Sequence, residues 1–148
     1  MTDIEIRPAR EEDSDAISEL LGELGYPTSP DEAANRLGTL RSSDYAVLVA
    51  ARGGRVVGLI SLHLVKGLHS SSPACYLMGL VTHSTVQGQG IGKALLGEAE
   101  KWAREAGCDR VTLTSASHRA AAHAFYEHLG FPQTGRRFAK IIEPNPDG

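Results

Sequence analysis

The segment Gln87-Gly88-Gln89-Gly90-Ile91-Gly92 offers the clearest chemistry in the chain. Glycines at 88, 90 and 92 strip the backbone of side chains just where a strongly amphipathic helix begins. The first amides of a helix have no intrahelical acceptor, and the helix dipole is positive at that end. Bare amides in such a field bind phosphate oxygens. Lys93 falls in the first turn, where a cation opposes the dipole, and a bound anion would neutralise the site. Two common phosphate turns fail on spacing. A dinucleotide fingerprint, G-x-G-x-x-G, begun at Gly88 meets Lys93 at its sixth position. A P-loop, G-x-x-x-x-G-K-S/T, ending on Gly92-Lys93 meets Gln87 and Ala94 where glycine and a hydroxyl are required. The third pattern, Arg/Gln-x-x-Gly-x-Gly/Ala, is satisfied in full.

The other reactive side chains are scattered. His118, His123 and His128 are spaced by five, which turns each about 140° from the last on a helix, so they share no face. His63 and His69 leave a loop between them with no evident third ligand, and no required metal is expected. The two cysteines, Cys75 and Cys108, stand in unrelated segments without metal-type spacing. They read as reduced, partly buried thiols of a cytoplasmic protein.

The elements that must position these groups follow from hydrophobic period and caps. Ile4 to Pro8 is a short strand. Asp13 or Ser14 caps a helix carrying Ile17, Leu20, Leu21 and Leu24, which Gly25-Tyr26-Pro27 ends. Ser29-Pro30-Asp31-Glu32 is a capping box opening a second helix with Ala33, Leu37 and Leu40. Strands at 45–51 and 55–64 flank a tight turn at Gly53-Gly54. A third strand, 75–82, completes an antiparallel meander. The helix after the glycine turn buries Ile91, Leu95, Ala99, Trp102, Ala103 and Ala106 and stops at Gly107. A short strand at 111–114, a helix from Arg119 to Leu129 stopped by Gly130, and a last strand at 137–142 complete the chain. The 143–148 tail reads as frayed. The order β-α-α-β-β-β-α-β-α-β, without repeat or linker, predicts one domain, 1–148, of α/β (α+β) class with a mixed sheet.

The glycine turn resembles the coenzyme A pyrophosphate loop of the GNAT N-acetyltransferases. The likeness extends along the chain. Ile6-Arg7-Pro8-Ala9 with Asp13 and Ile17 is similar to the family's first strand and helix, and Val56-Val57-Gly58 to its second hairpin strand. Ala122 to Phe131, containing Phe125-Tyr126 and Gly130-Phe131, is similar to its late FYxxxGF helix. The resemblance implies a mostly antiparallel sheet flanked by helices, with splayed strands forming a V-shaped cleft. In that cleft Leu80, Val81 and Thr82 would pair with the pantetheine arm of acetyl-CoA like an added strand, and Gly79 is consistent with a bulge there. Gln87, Gly88, Gln89, Gly90, Ile91, Gly92 and Lys93 would hold the pyrophosphate.

It also implies direct acetyl transfer. An amine attacks the thioester, a strand amide steadies the oxyanion, and Tyr126 matches the tyrosine that protonates the departing thiolate. Many family members carry a glutamate on the strand before the loop, but Cys75 to Thr82 contains no carboxylate. Either the amine arrives neutral, or a water chain carries its proton, or a residue elsewhere serves, and His63, His69 and His83 flank the expected cleft. Arg119 either meets a coenzyme A phosphate or is a solvated charge. Leu62-His63-Leu64, Leu68-His69, Arg119, Ala122-His123, Phe125-Tyr126 and Arg137-Phe138-x-Lys140 look similar to small-amine acetyltransferases that include aminoalkylphosphonate enzymes.

Composition bounds the partners. With 41% hydrophobic and 22% charged residues over 148, the chain is expected to be globular. A net charge of −3 without a basic stripe argues against nucleic acid or an anionic membrane surface. The cluster Glu11, Glu12, Asp13 and Asp15 reads as a solvated helix start. The N-terminus is not of signal-peptide type, and no apolar run suits a membrane helix. The expected substrate is the primary amine of a small molecule, with a protein N-terminus or lysine as the alternative acceptor. A homodimer is common in such folds. A non-catalytic acyl-CoA sensor and a nucleotide-binding module are the rival classes.

Overall fold

The structure, a computed structural model, describes residues 3–114, 120–135 and 137–144. They fall in two compact units, 1–113 and 114–148. In the first unit the order is β1 (Ile4–Pro8), α1 (Ser14–Leu24), α2 (Pro30–Thr39), β2 (Tyr45–Arg52), β3 (Arg55–Val65), β4 (Ala74–Thr82), α3 (Ile91–Glu105) and β5 (Val111–Leu113). The strands form one sheet in sequence order. β1 to β4 are antiparallel, and β5 joins β4 in parallel after the α3 crossover.

The turn chemistry read from the sequence is realised. Gly53 and Gly54 have φ of 58° and 81°, the two left-handed positions that a tight hairpin between twisted strands requires. At α2 the Glu32 amide donates to Ser29 Oγ, and the Ser29 amide donates to the Glu32 carboxylate, each at 3.1 Å. Such a cap is worth about 1 kcal/mol.

Helices cover both faces of the sheet. Ile17 and Leu20 of α1 and Ala33 of α2 join Val49, Leu59 and Val81 in one buried cluster. On the other face α3 buries Ile91, Leu95, Leu96, Ala99 and Ala103. Ala106, read from the sequence as part of that stripe, is exposed, because α3 ends at Glu105. Gly58 lets α3 approach. A Cβ there would lie 3.1 Å from both Ile91 Cγ2 and Leu95 Cδ1. That contact fixes where the first turn of α3, and so the end of the glycine turn, sits against β3.

Asp13 departs from its sequence reading. It is buried, and its carboxylate does not cap α1 by a side-chain bond. It accepts instead from both Arg7 guanidinium nitrogens, at 2.7 and 3.0 Å, and from the Arg10 amide at 2.8 Å. The pair ties β1 to the turn before α1, so of the acidic cluster one member is structural. The Arg7 hydrogen bond holds the Asp13 carboxyl below its ordinary range, burial pulling the other way.

The second unit holds α4 (Ala120–His128). It closes as the sequence predicts, with Gly130 at φ 93° and the Phe131 amide donating to the Tyr126 carbonyl at 3.0 Å. The strand expected at 137–142 is not formed; those residues carry no regular secondary structure. An apolar pattern alone makes no strand, since a strand exists only through hydrogen bonds to a neighbour, and the described residues supply none there.

The Asp13 pair gives a pH test. A lowered folded pKa contributes stability above the unfolded value of about 3.9, and that stability is lost as pH falls below it. Asp13→Asn should therefore lower Tm at pH 7 and flatten the fall of Tm below about pH 4. Parallel wild-type and variant melting curves across that range would remove the pair from the account.

Candidate active site

The site is built on β4 and the glycine turn beyond it. Register between β3 and β4 runs Ser61 to Gly79, then Leu62 to Leu77, leaving Met78 as the extra residue of a β-bulge. The bulge expected at Gly79 thus lies beside it. Parallel pairing with β5 covers Cys75, Tyr76 and Leu77 and ends there. From the bulge to Thr82, β4 is paired with β3 but has no strand on its other edge among the described residues. Leu80, Val81 and Thr82, the residues predicted for the pantetheine arm, occupy that segment. Val81 turns into the α1 cluster, and Leu80 and Thr82 are half-buried.

The His83 amide donates to the Val57 carbonyl at 2.8 Å, and the chain leaves the sheet. A single 3-10 turn, Ser84–Val86, leads to the glycines. Gly88 and Gly90 have φ of 80° and 82°, and nothing lies within 4 Å of where a Cβ would stand on either. Gly90 is the N-cap of α3, whose first intrahelical bond joins the Ala94 amide to the Gly90 carbonyl. The amides of Ile91, Gly92 and Lys93 have no acceptor within the helix. An open, left-handed backbone with unused amides suits a diphosphate. The strand edge beside it suits an extended amide-containing arm. The residues present therefore fit coenzyme A, with Gln87 to Lys93 toward its phosphates and Leu80 to Thr82 toward its arm.

The histidine candidates separate on contact. His83 is buried and both its ring nitrogens are engaged. Nε2 lies 2.9 Å from the Glu19 carboxylate on α1, and Nδ1 accepts from the Thr85 amide at 3.2 Å. The Ser84 amide also donates to Glu23, one turn along α1, at 3.4 Å. His83 thus braces the exit of β4 and offers no free lone pair for a base. His63 stacks on Tyr45, its neighbour across the strands, with centroids 4.4 Å apart and planes 6° from parallel. His69 lies in the β3–β4 loop, on no strand or helix. Burial pushes the Cys75 thiol up to about 11, so it is a packing group rather than a thiolate.

Tyr126 belongs to the second unit. It is half-buried and meets Phe125 and Phe131 edge-on, at 5.4 and 6.0 Å between centroids. Arg119 lies outside the described residues. Sequence reasoning missed Arg52, whose guanidinium donates to the Gln89 side chain of the glycine turn, and Arg55, 3.3 Å from His83 Nε2. Their signal was the R-G-G-R spacing across a hairpin turn, but only the sheet register brings that turn beside residues 83–90. A cavity of about 390 Å³ lined by Leu37, Tyr45, Val47 and Trp102 contains none of these residues.

A sheet of this order, interrupted at β4 ahead of a glycine turn, fits an acyl-CoA-dependent transferase. Residues 10–131 match the model of the acetyltransferase (GNAT) family. The chain belongs to that family, and its reaction is N-acetylation with acetyl-CoA as donor. It is 36% identical to the aminoalkylphosphonate N-acetyltransferase of Salmonella typhimurium, over 93% of this chain and 91% of that protein. It is 33% identical to an aminoglycoside N(6')-acetyltransferase type 1 of Stenotrophomonas maltophilia, over 95% of each. A solved aminoglycoside N-acetyltransferase in complex with CoA superposes with a TM-score of 0.86 over 97% of each chain, at 17% identity, a likeness of fold.

Gly90→Glu tests the turn. A side chain forced into φ 82°, and a carboxylate aimed among phosphates, should raise KM for acetyl-CoA at least about tenfold. Unaltered KM in a folded variant would place the diphosphate elsewhere.

Proposed function

We propose that the acceptor is the primary amine of a small molecule, acetylated by direct transfer, and that residues 1–148 make up a single domain. The observation that carries the donor half is the edge of β4, unpaired among the described residues, running into the left-handed glycine turn. The acceptor half is supported by the relatives, which act on an aminoalkylphosphonate and on an aminoglycoside. The span of the family match, which includes parts of both units, supports the single domain.

In this reading the edge of β4 at Leu80 to Thr82 holds the donor's arm in extended form, and the amides at the glycine turn hold its phosphates. The two together fix the thioester carbon relative to the strand, which is the main entropic gain available to a two-substrate transfer. A β4 amide steadies the oxyanion. Tyr126 supplies the proton to the departing thiolate, a role supported by its place in the FYxxxGF motif. A phenol of ordinary pKa about 10 is protonated at neutral pH and well matched to a thiolate. β4 carries no carboxylate, and His83 is committed to Glu19 and Thr85. The acceptor enters as the neutral amine, or loses its proton through water or to a residue outside β4, His63 and His69 being the candidate histidines left. The low thiolate character of buried Cys75 agrees with transfer without an acetyl-enzyme.

Because the amine must be neutral without a dedicated strand base, kcat/KM should rise with pH toward the pKa of the acceptor and shift between acceptors of different basicity. Free-thiol release with acetyl-CoA and a panel of aminoalkylphosphonates, aminoglycosides, polyamines and peptides measures this. Thiol release with peptides alone would overturn the small-molecule reading, and donor binding with no release for any amine would favour a sensor. Tyr126→Phe should cut kcat by about 10²-fold while donor affinity stays within a few-fold. An unaltered kcat would remove the phenol from the chemistry.

A further inference from the structure

The last residue pair of the β2–β3 hairpin sets Arg52 directly opposite Arg55. Like charges placed opposite one another on paired strands repel. Among the described residues neither guanidinium has a carboxylate within 4.0 Å. What they meet instead is the chain between β4 and α3. Arg52 donates to Gln89 at the centre of the glycine turn, and its Nε is buried without a hydrogen-bond partner. Arg55 lies 3.3 Å from His83 Nε2. The same nitrogen lies 2.9 Å from the Glu19 carboxylate, so Arg55 shares it with a competing partner.

Two cations are thus held side by side against a turn of unused amides, with no carboxylate of the described residues within 4.0 Å of either. Arg55 is exposed and Arg52 half-buried, and it is the Arg52 Nε that lies buried without a partner. Guanidinium forks match phosphate oxygens in shape and charge. We propose that Arg52 and Arg55 extend the cofactor site, binding the phosphate-bearing end of coenzyme A from the hairpin side while Arg52, through Gln89, holds the glycine turn in its receiving shape. This rests on the reading that Gln87 to Lys93 takes the diphosphate. It adds a second wall, contributed by a turn far earlier in the chain, as the register of β2 and β3 dictates.

The test compares acetyl-CoA with S-acetyl-pantetheine, which carries the same thioester arm and no phosphate. The readout is the ratio of kcat/KM for the two donors, so a variant that is merely less well folded loses on both and leaves the ratio alone. Arg52→Gln and Arg55→Gln should each lower the ratio about tenfold, the loss of one charge-assisted contact, chiefly through KM for acetyl-CoA. Arg52→Lys, which keeps the charge but not the fork, should fall between. The preference of wild type for acetyl-CoA should also decline as salt is raised. An unchanged ratio in both glutamine variants overturns the proposal while leaving the glycine turn in place. A wild-type ratio near one overturns the reading of the turn itself, and the arginine proposal with it.

Discussion

The site depends on a single interruption of strand pairing. β4 is hydrogen-bonded on both edges as far as Leu77, takes one extra residue at Met78, and thereafter pairs only with β3 among the described residues. Main-chain donors and acceptors within a sheet need partners, and an edge without them invites an extended chain to dock. Everything nearby maintains that interruption. Leu77 and Val81, on either side of it, are buried, so the strand cannot slip to restore pairing without turning its apolar side chains out. Val81 is locked into the α1 cluster, and the β3 register holds from Ser61 to Gly58.

The second constraint is electrostatic. The β4 exit carries carboxylates only through α1, where Glu19 and Glu23 reach the His83 ring and the Ser84 amide. The hairpin side carries Arg52 and Arg55, and the start of α3 carries Lys93 and its unused amides. Negative groups thus serve to brace the turn's entrance, while the turn itself is left positive.

The chemistry of the acceptor side is sparser. A family glutamate on β4 has no counterpart here, and the histidine nearest that strand's exit is consumed by bracing. Such a site relies on positioning and on the oxyanion donor more than on a strong base, which suits amines that are partly neutral at working pH. Buried Cys75 adds no competing nucleophile.

Much of this was legible in the residues. The positive φ of Gly53, Gly54, Gly88, Gly90 and Gly130 follows from glycine's freedom where turns demand it, and the Ser29–Glu32 cap from local spacing. The periods of α1, α3 and β4 came from burying one face. These are short-range effects, written in neighbouring residues. What tertiary structure alone decided was long-range. Asp13 looked solvated until Arg7 was brought to it, and His83 looked like a base until Glu19, 64 residues away, took its Nε2. The segment 137–142 had a strand's pattern without a strand's partner among the described residues. Arg52 and Arg55 acquired meaning only when sheet register laid their turn against Gln89. Hydrogen bonds and charges act across space, and one sequence without its register does not say which distant groups will share it.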